Sequence, residues 1–306
     1  MKYFVGITDE QWFHFLAEKT PDEVNFWRPR DKSQFRAIRE CAPFLFKLRS
    51  PNNFIVGEGF FVRHLFLPVS LAWDAFGMKN GAKTFDRFFQ SIMRLNKSGE
   101  VNPTIGCTIL TEPFFSKLED WIPIPQDWSS NIVKGKSYDT EETVGAALWK
   151  AVQERRDSVN KYEGELVIQE PATAFGKTIE IRSRIGQGAF RAMVTDAWSR
   201  RCGITGEKTL PVLEAAHIKP YALYGPNLTS SGLLLRSDMH ILFDKGYITL
   251  SKSNHVEVSK LIREEFENGK EYYRYHGRLL HHLPEYPAVR PSAKFLDWYQ
   301  QEIYKG

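Results

Sequence analysis

Cysteine is scarce in this sequence: there are three in 306 residues, Cys41, Cys107 and Cys202, far apart and odd in number. That excludes a disulfide-stapled fold and leaves no paired Cys-x-x-Cys zinc site. Long apolar runs are missing too, so a bilayer-spanning helix is not expected. No segment repeats and none is of low complexity, which argues against solenoids and fibrous assemblies. Charge of one sign is nearly balanced. The 41 Lys and Arg against 37 Asp and Glu leave a formal +4, which permits nucleic-acid binding but does not argue for it without clustering. The first residues show no signal-peptide pattern, and with the unpaired cysteines this predicts a reducing, bacterial-type cytosol.

Aromatic residues, by contrast, are plentiful. They make up 14% of the chain and crowd into its first half, more than a core needs, so some are expected to line a pocket. With 42% hydrophobic and 25% charged residues, the chain has the composition of a globular protein long enough for two domains. One basic cluster stands out: Lys177, Arg182, Arg184, Arg191, Arg200 and Arg201, opposed only by Glu180 and Asp196.

Patterning predicts an α+β chain. Strands are expected over 3–7, 44–48, 54–67 and 105–110, with helices after Asp9 and over 70–76 and 84–95. The glycines at 57 and 59 predict a bulge or a close backbone approach by a ligand. A helix over 141–156 closes the first domain, 1–156. A polar linker covers 157–178, and the second domain spans 179–306. There a helix over 188–200 precedes a strand over 212–218, a brief apolar segment at 232–235 and a short helix over 238–244. A hairpin of 247–250 and 256–258 follows, and from Glu264 the tail is charged and aromatic.

The strand, loop and helix from 212 to 244 carry the chemistry. His217 stands near the strand end and His240 near the helix start. Phosphodiester cleavage needs a base to deprotonate water, and a cation to stabilise charge on phosphate and leaving oxygen. An imidazole titrates near neutral pH and suits the first task or the ligation of the metal. Asp238 and Asp244 are carboxylates that can ligate the cation or orient a histidine. By spacing alone, His217 reads equally as a satisfied core histidine beside Ala215, Ala216 and Ile218.

The ordered run Gly186-Gln-Gly-Ala-Phe-Arg191, Arg201-Cys-Gly-Ile-Thr-Gly206, Leu213-Glu-Ala-Ala-His217-Ile-Lys-Pro220, Leu233-Leu-Leu-Arg-Ser-Asp-Met-His240 and Leu242-Phe-Asp-Lys-Gly246 resembles HNH endonucleases that cut modified DNA. The resemblance implies a ββα-metal fold with flanking helices. In it His217 is the general base, His240 the metal-binding histidine, and Ser231 stands at the family's central asparagine position. Asp238 is taken as the second metal ligand, and Arg184, Gln187, Arg191 and Lys219 as DNA contacts. The implied cofactor is a divalent ion, Mg²⁺ or Mn²⁺. The sequence departs from the pattern at Ser231, which weakens the bracing role or leaves it to Asn227, and at Ala216, where many relatives place a metal ligand, so that the ion relies on His240 with Glu214, Asp238 or water. Thr205 replaces the second cysteine of a zinc pair that some relatives form with the position of Cys202, so no structural zinc is expected.

The first half, through Phe4-Val-Gly-Ile-Thr-Asp9, Val24-Asn-Phe-Trp-Arg-Pro29, Asn53-Phe-Ile-Val-Gly-Glu-Gly-Phe-Phe61, Ser70-Leu-Ala-Trp-Asp-Ala-Phe-Gly77 and Ile105-Gly-Cys-Thr-Ile-Leu-Thr-Glu-Pro-Phe-Phe115, resembles EVE-type, PUA-like domains. That implies a curved sheet or partial barrel with rim helices and an aromatic pocket for a flipped base. Trp27, expected in a loop, and Trp73 are candidate stacking surfaces. Thr8, Asp9, Asn25 and Asn53 are candidate polar contacts to the pairing edge.

Taken together, the sequence predicts a restriction endonuclease, a homodimer, acting on double-stranded DNA that carries 5-methyl- or 5-hydroxymethylcytosine. The competing readings are a reader of modified nucleic acid whose nuclease half is inactive, and a sequence-tolerant nicking nuclease whose first half is an adaptor.

Overall fold

A computed structural model describes residues 1–29, 33–96, 99–164, 186–219 and 228–306, with backbone alone for 157–164. The chain divides into two compact units, Met1–Arg184 and Ile185–Gly306. Both are α+β, and no helix among the described residues is long and apolar enough to cross a membrane.

The first unit runs β1 (Lys2–Thr8), α1 (Glu10–Lys19), β2 (Glu23–Arg28), β3 (Pro43–Leu48), β4 (Phe54–Pro68), α2 (Val69–Phe76), α3 (Phe85–Leu95), β5 (Thr104–Phe115), β6 (Ile122–Pro123), β7 (Gly135–Asp139) and α4 (Thr143–Gly164). Across the sheet the strands lie in the order β2-β5-β4-β3-β1-β7, with β6 on β4. β1 and β3 are parallel and the other pairs antiparallel. Strand alternation sends successive side chains to opposite faces, and here both faces are covered. Phe4, Phe26, Phe44 and Phe46 pack with Trp12, Phe13 and Leu16 of α1, while Tyr3, Val5 and Leu45 pack with Leu148 and Val152 of α4. A sheet buried on both sides needs continuous apolar runs, and this absorbs most of the aromatic excess.

Two expectations change and a third is resolved. The segment around Trp27 is not a loop but β2, which pairs with β5 and sets Trp27 opposite Cys107. Of the two readings of the glycines at 57 and 59, the bulge holds: the strand register shifts beside both, and a Cβ at 57 would stand 2.2 Å from the Phe114 carbonyl oxygen of the neighbouring strand. Helix α4 continues to Gly164, into the stretch expected as linker; the rest of that linker lies outside the described residues.

The second unit runs α5 (Gln187–Ala197), β8 (Leu213–His217), β9 (Gly232–Arg236), α6 (Ser237–Asp244), β10 (Ile248–Leu250), β11 (Val256–Val258), α7 (Leu261–Phe266), α8 (Lys270–Tyr273) and α9 (Ala293–Glu302). β8 and β9 form an antiparallel pair from Leu213 opposite Arg236 to His217 opposite Gly232, and α6 follows β9 directly, giving a ββα unit. One core joins Phe190, Val194 and Trp198 from α5 and its end to Leu233, Leu234 and Leu235 of β9 and to Met239 and Phe243 of α6. The tail, left unassigned by sequence, returns as α9. Its Tyr299 stacks on Phe243 with ring centroids 4.1 Å apart, and its hydroxyl donates to the Phe243 carbonyl.

Candidate active site

In the ββα unit, β8 presents Glu214 and His217 to different neighbours. Residues three apart on a strand face opposite sides. Glu214 meets α6, where its Oε2 lies 2.5 Å from His240 Nδ1. His217 meets α5, where its ring stacks on Phe190 with centroids 3.7 Å apart and planes at 10°. The other nitrogen of His240, Nε2, lies 3.2 Å from Asp244 Oδ2, one helical turn on. His240 is thus flanked by carboxylates on both ring edges. Its burial opposes the charged imidazolium, but the hydrogen bonds and charges of Asp244 and Glu214 outweigh that and hold its pKa above the ordinary value. Glu214 is pulled below its usual range, first by the hydrogen bond from His240; Arg191 on α5 contributes by its charge.

Asp238 does not take the place expected of it. Both of its oxygens are engaged by Arg236, with Nε–Oδ1 and Nη2–Oδ2 at 2.7 Å, a fork that ties the end of β9 to the start of α6. The carboxylates that face His240 are Glu214 and Asp244. Asp244 carried a legible signal, since it stands at the i+4 position of the same short helix.

Ser231 is fully buried, and its hydroxyl has no hydrogen-bond partner among the described residues. Its backbone does the bracing instead: the carbonyl accepts from Ile218 N at 2.8 Å and the amide donates to Leu228 O at 2.8 Å. Ala216 is buried within the core and offers no ligand. Among the expected DNA contacts, Gln187 is exposed at the start of α5 and Arg191 is half-buried beside Glu214. Lys219 holds its ammonium 5.1 Å from the ring centre of Trp298. Arg184 and Asn227 lie outside the described residues. Cys202 uses its sulfur as an acceptor for the amides of Thr205 and Arg236, each at 3.3 Å.

Among the described residues, no three His, Cys, Asp or Glu side chains are gathered into a metal site. Glu214 occupies the Nδ1 edge of His240, so the two donors that converge are His240 Nε2 and Asp244 Oδ2. One imidazole and one carboxylate fit a Mg²⁺ or Mn²⁺ ion that completes its shell with water and phosphate oxygens.

Residues 202–251 match the family model of the HNH endonucleases. The C-terminal unit contains an HNH-endonuclease segment. The matched segment spans the ββα unit and ends just past β10. A search of curated proteins finds no match. Among solved structures, the ASCH protein from Zymomonas mobilis covers 47% of this chain and 93% of its own, at 11% identity and a TM-score of 0.33. The modification-dependent restriction endonuclease TagI covers 92% of this chain and 75% of its own, at 15% identity and a TM-score of 0.29. Superpositions this loose carry no argument about fold or activity, and the assignment of the HNH segment rests on the family match.

The N-terminal unit has a cleft of about 880 Å³. Trp27, Thr8 and Asp9 line it, together with Trp12, Phe88 and the cationic side chains Arg28, Arg49, Arg94 and Lys134. Trp27 is half-buried, edge-on to Phe88 at 5.5 Å, and its indole N–H donates to the Asn80 carbonyl at 2.8 Å. Asp9 also caps α1, accepting from Trp12 N at 2.9 Å.

Asn25, Asn53 and Trp73 do not line the cleft. Asn25 is fully buried on β2 and donates to Asn80 Oδ1 at 2.8 Å and to Cys107 Sγ at 3.3 Å. Asn53 accepts from the buried Lys47 ammonium at 2.8 Å. Trp73 packs on Phe85 and Phe88 between α2 and α3. Asn80 is the residue that sequence reasoning missed here. Its side chain binds the carbonyls of Ala72 and Gly77 while its own carbonyl holds Trp27, and nothing in the local pattern marks it.

Proposed function

We propose that this protein is a modification-dependent DNA endonuclease. Its N-terminal unit receives a 5-methyl- or 5-hydroxymethylcytosine flipped out of duplex DNA, and its C-terminal unit hydrolyses the phosphodiester backbone with a divalent cation. The observation that carries the reading is the ββα unit inside the HNH-matched segment, with an imidazole at the strand end and a second imidazole paired with carboxylates on the helix.

His217, at the end of β8, takes the proton from the attacking water. His240 Nε2 and Asp244 hold the cation, and Glu214 keeps the Nδ1 proton of His240 in place, which fixes the ring and leaves Nε2 as the donor atom. A cation bound there neutralises charge that develops on the phosphate and the leaving oxygen. Arg191 and Lys219 supply positive charge for the DNA backbone. In the other unit, Trp27 offers an aromatic face whose polar edge is already satisfied, so a base can stack on it without stranding the indole N–H. Arg49, Arg94 and Lys134 on the cleft walls favour the phosphates on either side of a flipped nucleotide. An HNH site cuts one strand at a time, and a homodimer supplies the second cut.

The test is His217→Ala assayed for binding and for cutting on the same DNA. Cutting should vanish while binding to modified DNA stays within about twofold. Binding by the wild type with no cutting under Mg²⁺ or Mn²⁺ would favour a reader without catalysis.

A further inference from the structure

We infer that Phe190 is a positioning residue for His217, and that Gly232 is glycine so that Phe190 can reach it. This rests on the assignment of His217 as the general base. The phenyl ring of Phe190 is 1% exposed and lies face to face with the imidazole, centroids 3.7 Å apart and planes at 10°. Offset or edge-on contacts are the usual aromatic geometries, so a near-parallel pair at this separation marks a held ring. A stack of this kind fixes the plane of the imidazole and covers one of its faces. Both ring nitrogens, which lie on its edge, stay clear of the phenyl group.

The packing around the pair is arranged for it. Gly232 is the β9 partner of His217. A Cβ at Gly232 would meet Val194 Cγ2 at 2.3 Å and Phe190 Cζ at 2.9 Å, so any side chain there would push the phenyl ring or its helix away from the hairpin. The Gly232 carbonyl accepts from Trp198 Nε1 at 3.2 Å, which anchors the end of α5 to the same residue. The helix therefore presents Phe190 to His217 from a fixed base. A general base works only when its nitrogen is held at hydrogen-bonding distance from the water it activates, and a displacement of about 1 Å costs up to roughly 100-fold in rate.

The experiment compares wild type, His217→Ala, Phe190→Leu and Phe190→Tyr as full-length chains. Nicking kinetics are measured on plasmid DNA with Mn²⁺, melting temperatures alongside, and the His217 ring-proton shifts by NMR. Phe190→Leu should lower kcat by about 10- to 100-fold with KM within about twofold, and the upfield ring-current shift of the His217 protons should disappear. Phe190→Tyr should retain both the shift and most of kcat. If the leucine variant does not fold, Phe190→Met fills a similar volume without a flat face and is read in the same way. Cutting by Phe190→Leu at the wild-type rate, with His217→Ala inactive, overturns this inference alone. An equal loss in the leucine and tyrosine variants also overturns it, since core packing would then explain both. Cutting that survives His217→Ala overturns the base assignment and this inference with it.

Discussion

In the N-terminal unit the cleft is aromatic and cationic: Asp9 and Trp27 are engaged by the protein itself, one capping a helix and the other giving its N–H to a carbonyl, while Arg49, Arg94 and Lys134 line the walls. Around His240 in the C-terminal unit two carboxylates are aimed at one imidazole, with Ser237 and Arg191 also acting on Glu214. An aromatic, cationic cleft suits a base with its phosphates, and carboxylates around one histidine suit a cation. The proposed function assigns recognition to one unit and chemistry to the other, so substitutions should separate the two.

The largest separation is expected from Asp244→Asn. It should raise the apparent Kd for Mn²⁺ by about 10- to 100-fold and cut activity in parallel, while binding of modified DNA without metal stays unchanged. Asp238→Asn, which breaks only the fork to Arg236, should change the Mn²⁺ Kd by less than about threefold. Equal effects on calorimetric titration would return Asp238 to the metal site. Next comes Trp27→Ala, which should weaken binding to modified duplexes by roughly tenfold or more, given about 1–3 kcal/mol for a base stacked on an aromatic ring. Nicking of unmodified DNA at high protein concentration should not change. An equal loss on both substrates would mean that Trp27 supports the fold and does not read the base.

The ββα unit was legible because its information is local. Leu213 to His217 and Leu233 to Leu235 are short, mostly apolar runs that form strands, and His240 and Asp244 are four apart on one helix. At Ser231 the backbone joins Leu228 and Ile218, a contact that sequence pattern does not encode. The cleft was only partly legible. Trp27, Thr8 and Asp9 reach it from β1 and β2, but Arg94 on α3 and Lys134 before β7 arrive from far along the chain, and no periodicity brings them together. The same distance hid Asn80 behind Trp27 and Phe190 behind His217. The tail past Glu264 was opaque for another reason: Leu296 and Tyr299 sit in a short aromatic cluster, Phe295 to Tyr299, whose partners, Phe243 among them, lie far earlier in the chain.

Smaller effects sharpen the same contrast. Ser231→Ala should leave the nicking rate within about twofold, since the buried hydroxyl makes no hydrogen bond to any described residue; a loss of tenfold would give the side chain a role in the site. The cysteines provide the mildest check. Burial pushes the Cys107 thiol up to about 12, so almost none of it is thiolate at pH 8 and iodoacetamide should not label it in the folded protein. The exposed Cys41 should be labelled. Labelling of Cys107 at the rate of Cys41 would show that the sheet around Asn25 and Asn80 opens readily.

The most direct test of the division of labour is cleavage of one plasmid prepared with 5-hydroxymethylcytosine, with 5-methylcytosine and without modification, in the presence of Mn²⁺. The account predicts cutting of at least one modified form, little or none of the unmodified plasmid, and no cutting of any form by His217→Ala. Equal cutting of all three by the wild type would contradict it.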